Sequence, residues 1–394
     1  MFQQEQHPTP NTESLGMVQG LPSTTTSESE IDQTTEAVSS STTRATLGSH
    51  LRKIGFAGIG LFTFILALQL LKDGAAIYGQ SIIAFLNVSN ATNALGFGWL
   101  LSYVFLSGSP VAAIAVTFFA SETISALQAF TMITGSRLGA SFIVLFVGFI
   151  YYLRGHQRSA SISIGVLALL TTAAIYIPAL LPGYWLLTSG VLGVMEVGTA
   201  TPVTSFIDVI YGPIMQGLES LGVPGWMLFL TGIVALLVAF GFLDRALPEL
   251  NAEQNAFQRI GKLVYRPMAM FLLGGLVTSI TMSVSVSLGL LVPLSAKGLI
   301  RRENTLPYIM GANITTFIDT LIAALIVGGP AAFTIVFVEM VSVLFLSLII
   351  LAFFYRPFGR AILRLQELII QNNRTLVAFV CIMLVVPVIL LFIK

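Results

Sequence analysis

Polar side chains stranded in apolar sequence are where chemistry is sought first, because each is costly away from water unless it finds a partner. Two serine clusters stand out: Leu106-Ser107-Gly108-Ser109-Pro110 and Met282-Ser283-Val284-Ser285-Val286-Ser287. Neutral hydroxyls offer hydrogen bonds to a small ion without committing charge, and glycine lets the backbone come close. Downstream lie two further irregular stretches, Gly135-Ser136-Arg137-Leu138-Gly139-Ala140-Ser141 and Gly311-Ala312-Asn313-Ile314-Thr315-Thr316. Arg137 is the most informative of these residues. Its guanidinium suits a tetrahedral oxyanion, which it can hold through two parallel N–H bonds. It also suits the place of a sodium ion as a tethered cation, or a position from which it snorkels to the surface. Asp319 and Glu339 lie in apolar surroundings, and each suits a bound cation or a pairing with Arg137.

Other chemistries are poorly supported. Cys381 is the single cysteine, and His7, His50 and His156 are scattered. No H-E-x-x-H and no G-x-x-x-x-G-K-[ST] occurs, so neither zinc hydrolysis nor an ATP-driven motor is expected. The chain is read as no enzyme, with no cofactor, no metal centre and no nucleic-acid partner.

The elements that must position these residues are membrane helices. Of 394 residues, 55% are hydrophobic and only 9% charged, against about 25% charged in a soluble domain. Residues 1–53 hold six acids and three bases, which leaves 12 acids and 16 bases for the rest. The first 50 residues contain 18 Ser or Thr and little apolar periodicity, so 1–53 reads as a disordered polar tail. Hydrophobic segments then run at about 54–72, 94–118, 126–153, 159–181, 226–243, 267–296, 304–328, 333–355 and 376–393. Basic residues cluster before the first of them and around 154–158, 245–266, 297–302 and 356–374. Taking these clusters as cytoplasmic places the N-terminus inside, in the cell's plasma (inner) membrane. Segments 94–118 and 267–296 must then return to the side they entered. They are too short to cross twice, so each is expected to be a re-entrant hairpin buried in protein.

The polar stretches also repeat. Leu106 and Met282 are 176 positions apart, and so are Gly135 and Gly311. The expected fold is an all-α polytopic membrane protein of two inverted-topology repeats, each with a re-entrant hairpin and a broken helix. Repeat 1 covers 54–181, a connecting segment 182–225 and repeat 2 226–356; an amphipathic helix and a C-terminal transmembrane helix fill 357–394. Many secondary transporters are built this way, because broken helices bring unpaired N–H and C=O groups to mid-membrane depth.

The stretch Thr278-Ser279-Ile280-Thr281-Met282-Ser283-Val284-Ser285, then Leu291-Val292-Pro293-Leu294, then Leu306-Pro307-Tyr308-Ile309-Met310-Gly311-Ala312-Asn313-Ile314, resembles the type II sodium–phosphate cotransporter family. That family has Gln-Ser-Ser-Ser in a hairpin of each half and Gly-Ala-Asn-Ile-Gly-Thr-Thr in the helix after it. The resemblance covers roughly 54–375, good in the second half and faint in the first. Leu106 and Met282 replace the two glutamines, Gly108 and Val284 the middle serines, Arg137 one asparagine and Thr315 one glycine. The resemblance implies sodium-coupled symport of inorganic phosphate. Ser107, Gly108, Ser109, Ser283, Ser285 and Ser287 would bind the anion with Arg137, and Asn313, Thr315, Thr316 and Asp319 would hold Na⁺. Alternatives are another small anion, H⁺ coupling through Asp319 or Glu339, an anion channel, or a scaffold that transports nothing. The partners expected are phosphate or a similar anion, Na⁺ and the lipid bilayer, and a homo-oligomer is compatible with all of these.

Overall fold

A computed structural model describes residues 28–85, 88–153, 158–191, 200–246, 266–284, 286–288, 291 and 302–393. Packing divides the chain into two units, Met1–Leu51 and Arg52–Lys394. Among the described residues all regular structure is helical. Helix α1 is Glu28–Phe85, so helical backbone reaches back into the polar leader that composition alone assigns to a tail. All that follows concerns the second unit.

Its helices are the apolar part of α1 (Arg52–Phe85), α2 (Ala91–Phe105), α3 (Ser109–Ala120), α4 (Ala126–Leu153), α5 (Arg158–Ser189), α6 (Ala200–Ser220) and α7 (Gly225–Ala246). After them come α8 (Pro267–Thr281), α9 (Arg302–Thr315), α10 (Phe317–Val327), α11 (Gly329–Ile349), α12 (Tyr355–Ile370) and α13 (Asn373–Phe392). Among the described residues, seven stretches are long and apolar enough to cross a bilayer, with α9–α10 and α11–α12 each counting as one. This is a multi-pass helical membrane protein. Helices α3 and α8 have 12 and 15 residues. At 1.5 Å per residue both fall short of a hydrocarbon core of about 30 Å.

The two polar breaks are built alike. Helix α2 ends at Leu106 with φ 51° and ψ 29°, and α8 ends at Met282 with φ 46° and ψ 17°. Both are left-handed, a conformation that costs a branched or long side chain roughly 1–2 kcal/mol. Besides Glu122, they are the only non-glycine residues with positive φ among those described. After the first break α3 restarts with Pro110 in its first turn, where a missing N–H costs nothing.

Packing repeats as well. A Cβ on Gly98 would collide with the Met132 carbonyl, and one on Gly135 with the Leu95 carbonyl, so α2 and α4 touch backbone to backbone. Adding 176 to each number gives Gly274 against Tyr308 and Gly311 against Phe271, which are the corresponding contacts of α8 and α9. Two independent contacts kept at the offset of the breaks make these helix pairs structural counterparts. Close approach through small residues is how helices gain contact in lipid, where apolar burial adds little.

Three sequence expectations are corrected. Helix α4 runs unbroken through Gly135–Ser141, so the first half has no broken helix. Gly135 and Gly139 there admit the backbone of α2, and the Ser136 and Ser141 hydroxyls bond back to the Ile133 and Arg137 carbonyls of their own helix at 2.7 and 3.0 Å. Only the second half is interrupted, at Thr316 between α9 and α10. The first span does not stop at 72 but continues to Phe85, and α5 extends past 181 to Ser189.

Candidate ion-binding site

The two breaks meet. Ser107, Gly108 and Ser109 from the first, and Met282, Ser283 and Val284 from the second, line one small cleft of about 60 Å³ with Arg137 and Thr316. Pockets for drug-sized ligands measure roughly 300–1,000 Å³, so this one suits a small ion. Two helix N-termini open onto it. Helix α3 begins beside Gly108 and α10 beside Thr316, and neither capping residue makes a side-chain capping bond. Gly108 and Thr316, which precede these two helices, both line the cleft.

Arg137 brings positive charge to the cleft, whose lining also includes the Asp244 carboxyl. It is 4% exposed. Its Nη1 donates to the Thr316 hydroxyl at 2.9 Å and its Nη2 to the Thr320 hydroxyl at 2.6 Å. The guanidinium carbon lies 4.8 Å from the centroid of the Phe317 ring, within cation–π range. Asp319 Oδ1 is 3.8 Å from Nη2, too long for a charge-assisted hydrogen bond of about 2.7–2.9 Å. Thr320 mediates instead, receiving from Arg137 and donating to that carboxylate oxygen at 2.9 Å. Nε of Arg137 and Oδ2 of Asp319 are buried without a hydrogen-bond partner among the described residues. The arginine is thus held by neutral hydroxyls and a loose ion pair, with donor capacity unspent beside the cleft.

Other residues singled out from sequence lie elsewhere. Asn313 donates from Nδ2 to the Thr172 hydroxyl at 2.8 Å, and its carbonyl accepts from the Tyr176 phenol at 2.9 Å, which ties α9 to α5. Thr315 bonds to carbonyls of its own helix. Ser287 is fully buried, accepting from Thr278 at 2.7 Å and sharing a 2.9 Å bond with the Tyr308 hydroxyl. Asp319 reaches the cleft only through Arg137, and Ser285 lies outside the described residues. Sequence reading missed Thr320 and Phe317, which hold the guanidinium, and Phe240 and Asp244 of α7, which line the cleft. The four-residue spacing of Thr316 and Thr320 on one helical face was a usable signal; nothing local marks Asp244.

Comparison with known proteins places a similarity on this helical membrane fold. Over 117 residues, 27% of the chain, it is 31% identical to the human protein named sodium-dependent phosphate transport protein 2B. The match spans 17% of that protein's length. No family model and no solved structure matches the chain.

Proposed function

We propose that the chain is a secondary transporter that carries inorganic phosphate into the cell with Na⁺ by alternating access. The observation that carries this reading is the convergence of both breaks on Arg137 and Thr316 in one small cleft. Arg137 and neutral hydroxyls in a cleft this small make a site for a compact oxyanion, with the Asp244 carboxyl at its lining restricting where the anion sits. Ser107, Gly108, Ser109 and Ser283 contact the anion directly, and Arg137 binds it through its free donor edge. Ser287 supports the second break from behind.

Sodium is the coupling ion in this proposal, held where α9 gives way to α10 by Thr316 and Asp319 with backbone from Asn313 to Thr315. Support comes from the name of the similar human protein and from the interruption at Thr316. The paired packing at a constant offset and the matching left-handed breaks favour two repeats. Their opposite orientation, with re-entrant hairpins and a cytoplasmic N-terminus, is proposed from the placement of basic loops. Radiolabelled phosphate uptake into proteoliposomes, with and without an inward sodium gradient, tests the whole. Sodium-driven accumulation is expected. Flux that only dissipates a phosphate gradient would mean a channel, and no flux would mean a scaffold.

A further inference from the structure

We propose that Glu339 is a monovalent-cation site, for Na⁺ or a proton, linked through Arg137 to the anion cleft. The linkage rests on the anion reading above; the cation site itself does not.

Glu339 lies in α11 and is 2% exposed. Neither carboxylate oxygen has a hydrogen-bond partner among the described residues. The Thr134 hydroxyl is beside it but is committed to the Phe130 carbonyl at 3.1 Å. The helices packed on α11 bring few charges. From α4, Arg137 is the cation whose field reaches it, and from α5 the Tyr176 phenol lies within electrostatic range while bonded to the Asn313 carbonyl. Helix α3 carries no titratable residue. On α9, Arg302 and Glu303 sit in the first turn, and Tyr308 is bonded to Ser287. On α10, Asp319 is already paired with Arg137. Of the two buried carboxylates, Asp319 is paired with Arg137 and Glu339 has no ion-pair partner among the described residues. A buried charge without compensation is strongly unfavourable, and intramembrane ionisable residues mark ion or proton sites for that reason. A cation bound at Glu339 neutralises that carboxylate directly, as a site separate from the sodium proposed beside Asp319.

Coupling follows from the same arrangement. An anion in the cleft draws on the positive charge of Arg137, so Glu339 is left less compensated and holds its cation more tightly. By linkage, the cation tightens anion binding by the same factor.

The test uses the purified full-length chain in detergent, first without phosphate. Thermal unfolding is followed against NaCl replaced by choline chloride at constant ionic strength, and against pH in choline alone. A ligand bound only by the folded state raises Tm. Wild type is expected to gain several degrees in the sodium arm if the ion is Na⁺. If it is a proton, the gain appears in the pH arm. Glu339→Gln, neutral and nearly isosteric, should lose that response while staying monodisperse. If the Gln variant does not fold, Glu339→Asp must shift the midpoint of the response. A wild type flat in both arms, a Gln variant that responds like wild type, or an unmoved Asp midpoint would overturn the site. Adding phosphate should then enlarge the wild-type response. A wild type that answers to the cation but not to phosphate upholds the site and removes the anion linkage alone.

Discussion

At the scale of single residues, the two serine breaks differ from the serine behind them in what they already bind. Among the described residues the Ser107 hydroxyl makes no hydrogen bond, and the Ser283 hydroxyl accepts one long bond of 3.3 Å from the Val286 N–H. Replacing either with alanine should spare the fold and remove one bond to a charged ligand, about 1.5–3 kcal/mol. That is a phosphate affinity weaker by roughly 10- to 150-fold, measurable by binding of labelled phosphate. Ser287→Ala should do the reverse. It leaves the Thr278 hydroxyl without its partner at a fully buried position, while Tyr308 keeps its bond to the Ser287 carbonyl, so stability should fall by about 1–3 kcal/mol while affinity changes little. Arg137 does both jobs. Arg137→Lys keeps a point charge and should retain part of the affinity, whereas Arg137→Asn should lose most of it. The Asn form also strips Asp319 of its buried cation, at a cost of about 3–5 kcal/mol in thermal or denaturant unfolding. An Asn form with wild-type affinity would take Arg137 out of the site.

Glycine contacts set how closely facing helices approach, and that can be tested element by element. Gly98→Ala and Gly274→Ala each push a methyl group into a backbone carbonyl of the facing helix, which cannot retreat as a side chain would. Overpacking of this kind typically costs about 1–3 kcal/mol. Both variants should therefore lose folded protein on size exclusion to a similar degree, since the two contacts are counterparts. Gly241→Ala is the control. It meets nothing within 4 Å in α7, and an open helical glycine replaced by alanine gains up to about 1 kcal/mol. The breaks give an opposite prediction. Leu106 is left-handed and 57% exposed, so Leu106→Gly removes strain at little cost in packing. Part of that gain is offset by the larger freedom of glycine in the unfolded chain. A net stabilisation of about 1 kcal/mol or less is expected.

At the scale of the whole molecule, the question is orientation in the bilayer. Opposite repeats require residues 121–125, after α3, to lie on the outer face and residues 297–303 on the inner one. Cys381 is the one native cysteine and is exposed, so its replacement yields a clean background. Single cysteines placed in each loop should then react from opposite sides with a membrane-impermeant maleimide. Labelling of both from one side would end the inverted arrangement while leaving the repeat itself in place.

Much of this was legible along the chain. The spans follow from apolar runs, because length and hydropathy decide whether a segment can leave water. The breaks at 106–109 and 282–283 follow from small polar residues where a continuous span would place apolar ones. The constant offset was also visible, since it is a property of numbering. Other features depended on neighbours distant in sequence. Gly135 and Gly139 look like helix breakers when read locally, but in α4 they are contact points, and only the approach of α2 explains them. Asn313 and Arg137 are matched by the offset, yet one is spent on Thr172 while the other enters the cleft. Arg137 has no carboxylate within a turn of its own helix; its Asp319 and its two threonines arrive from α10 and the residue before it, about 180 positions away. Local composition sets where a chain must bend and what it can bury. Which buried polar groups remain free for a ligand is decided by the partners that tertiary packing brings, because a donor already bonded has little left to give.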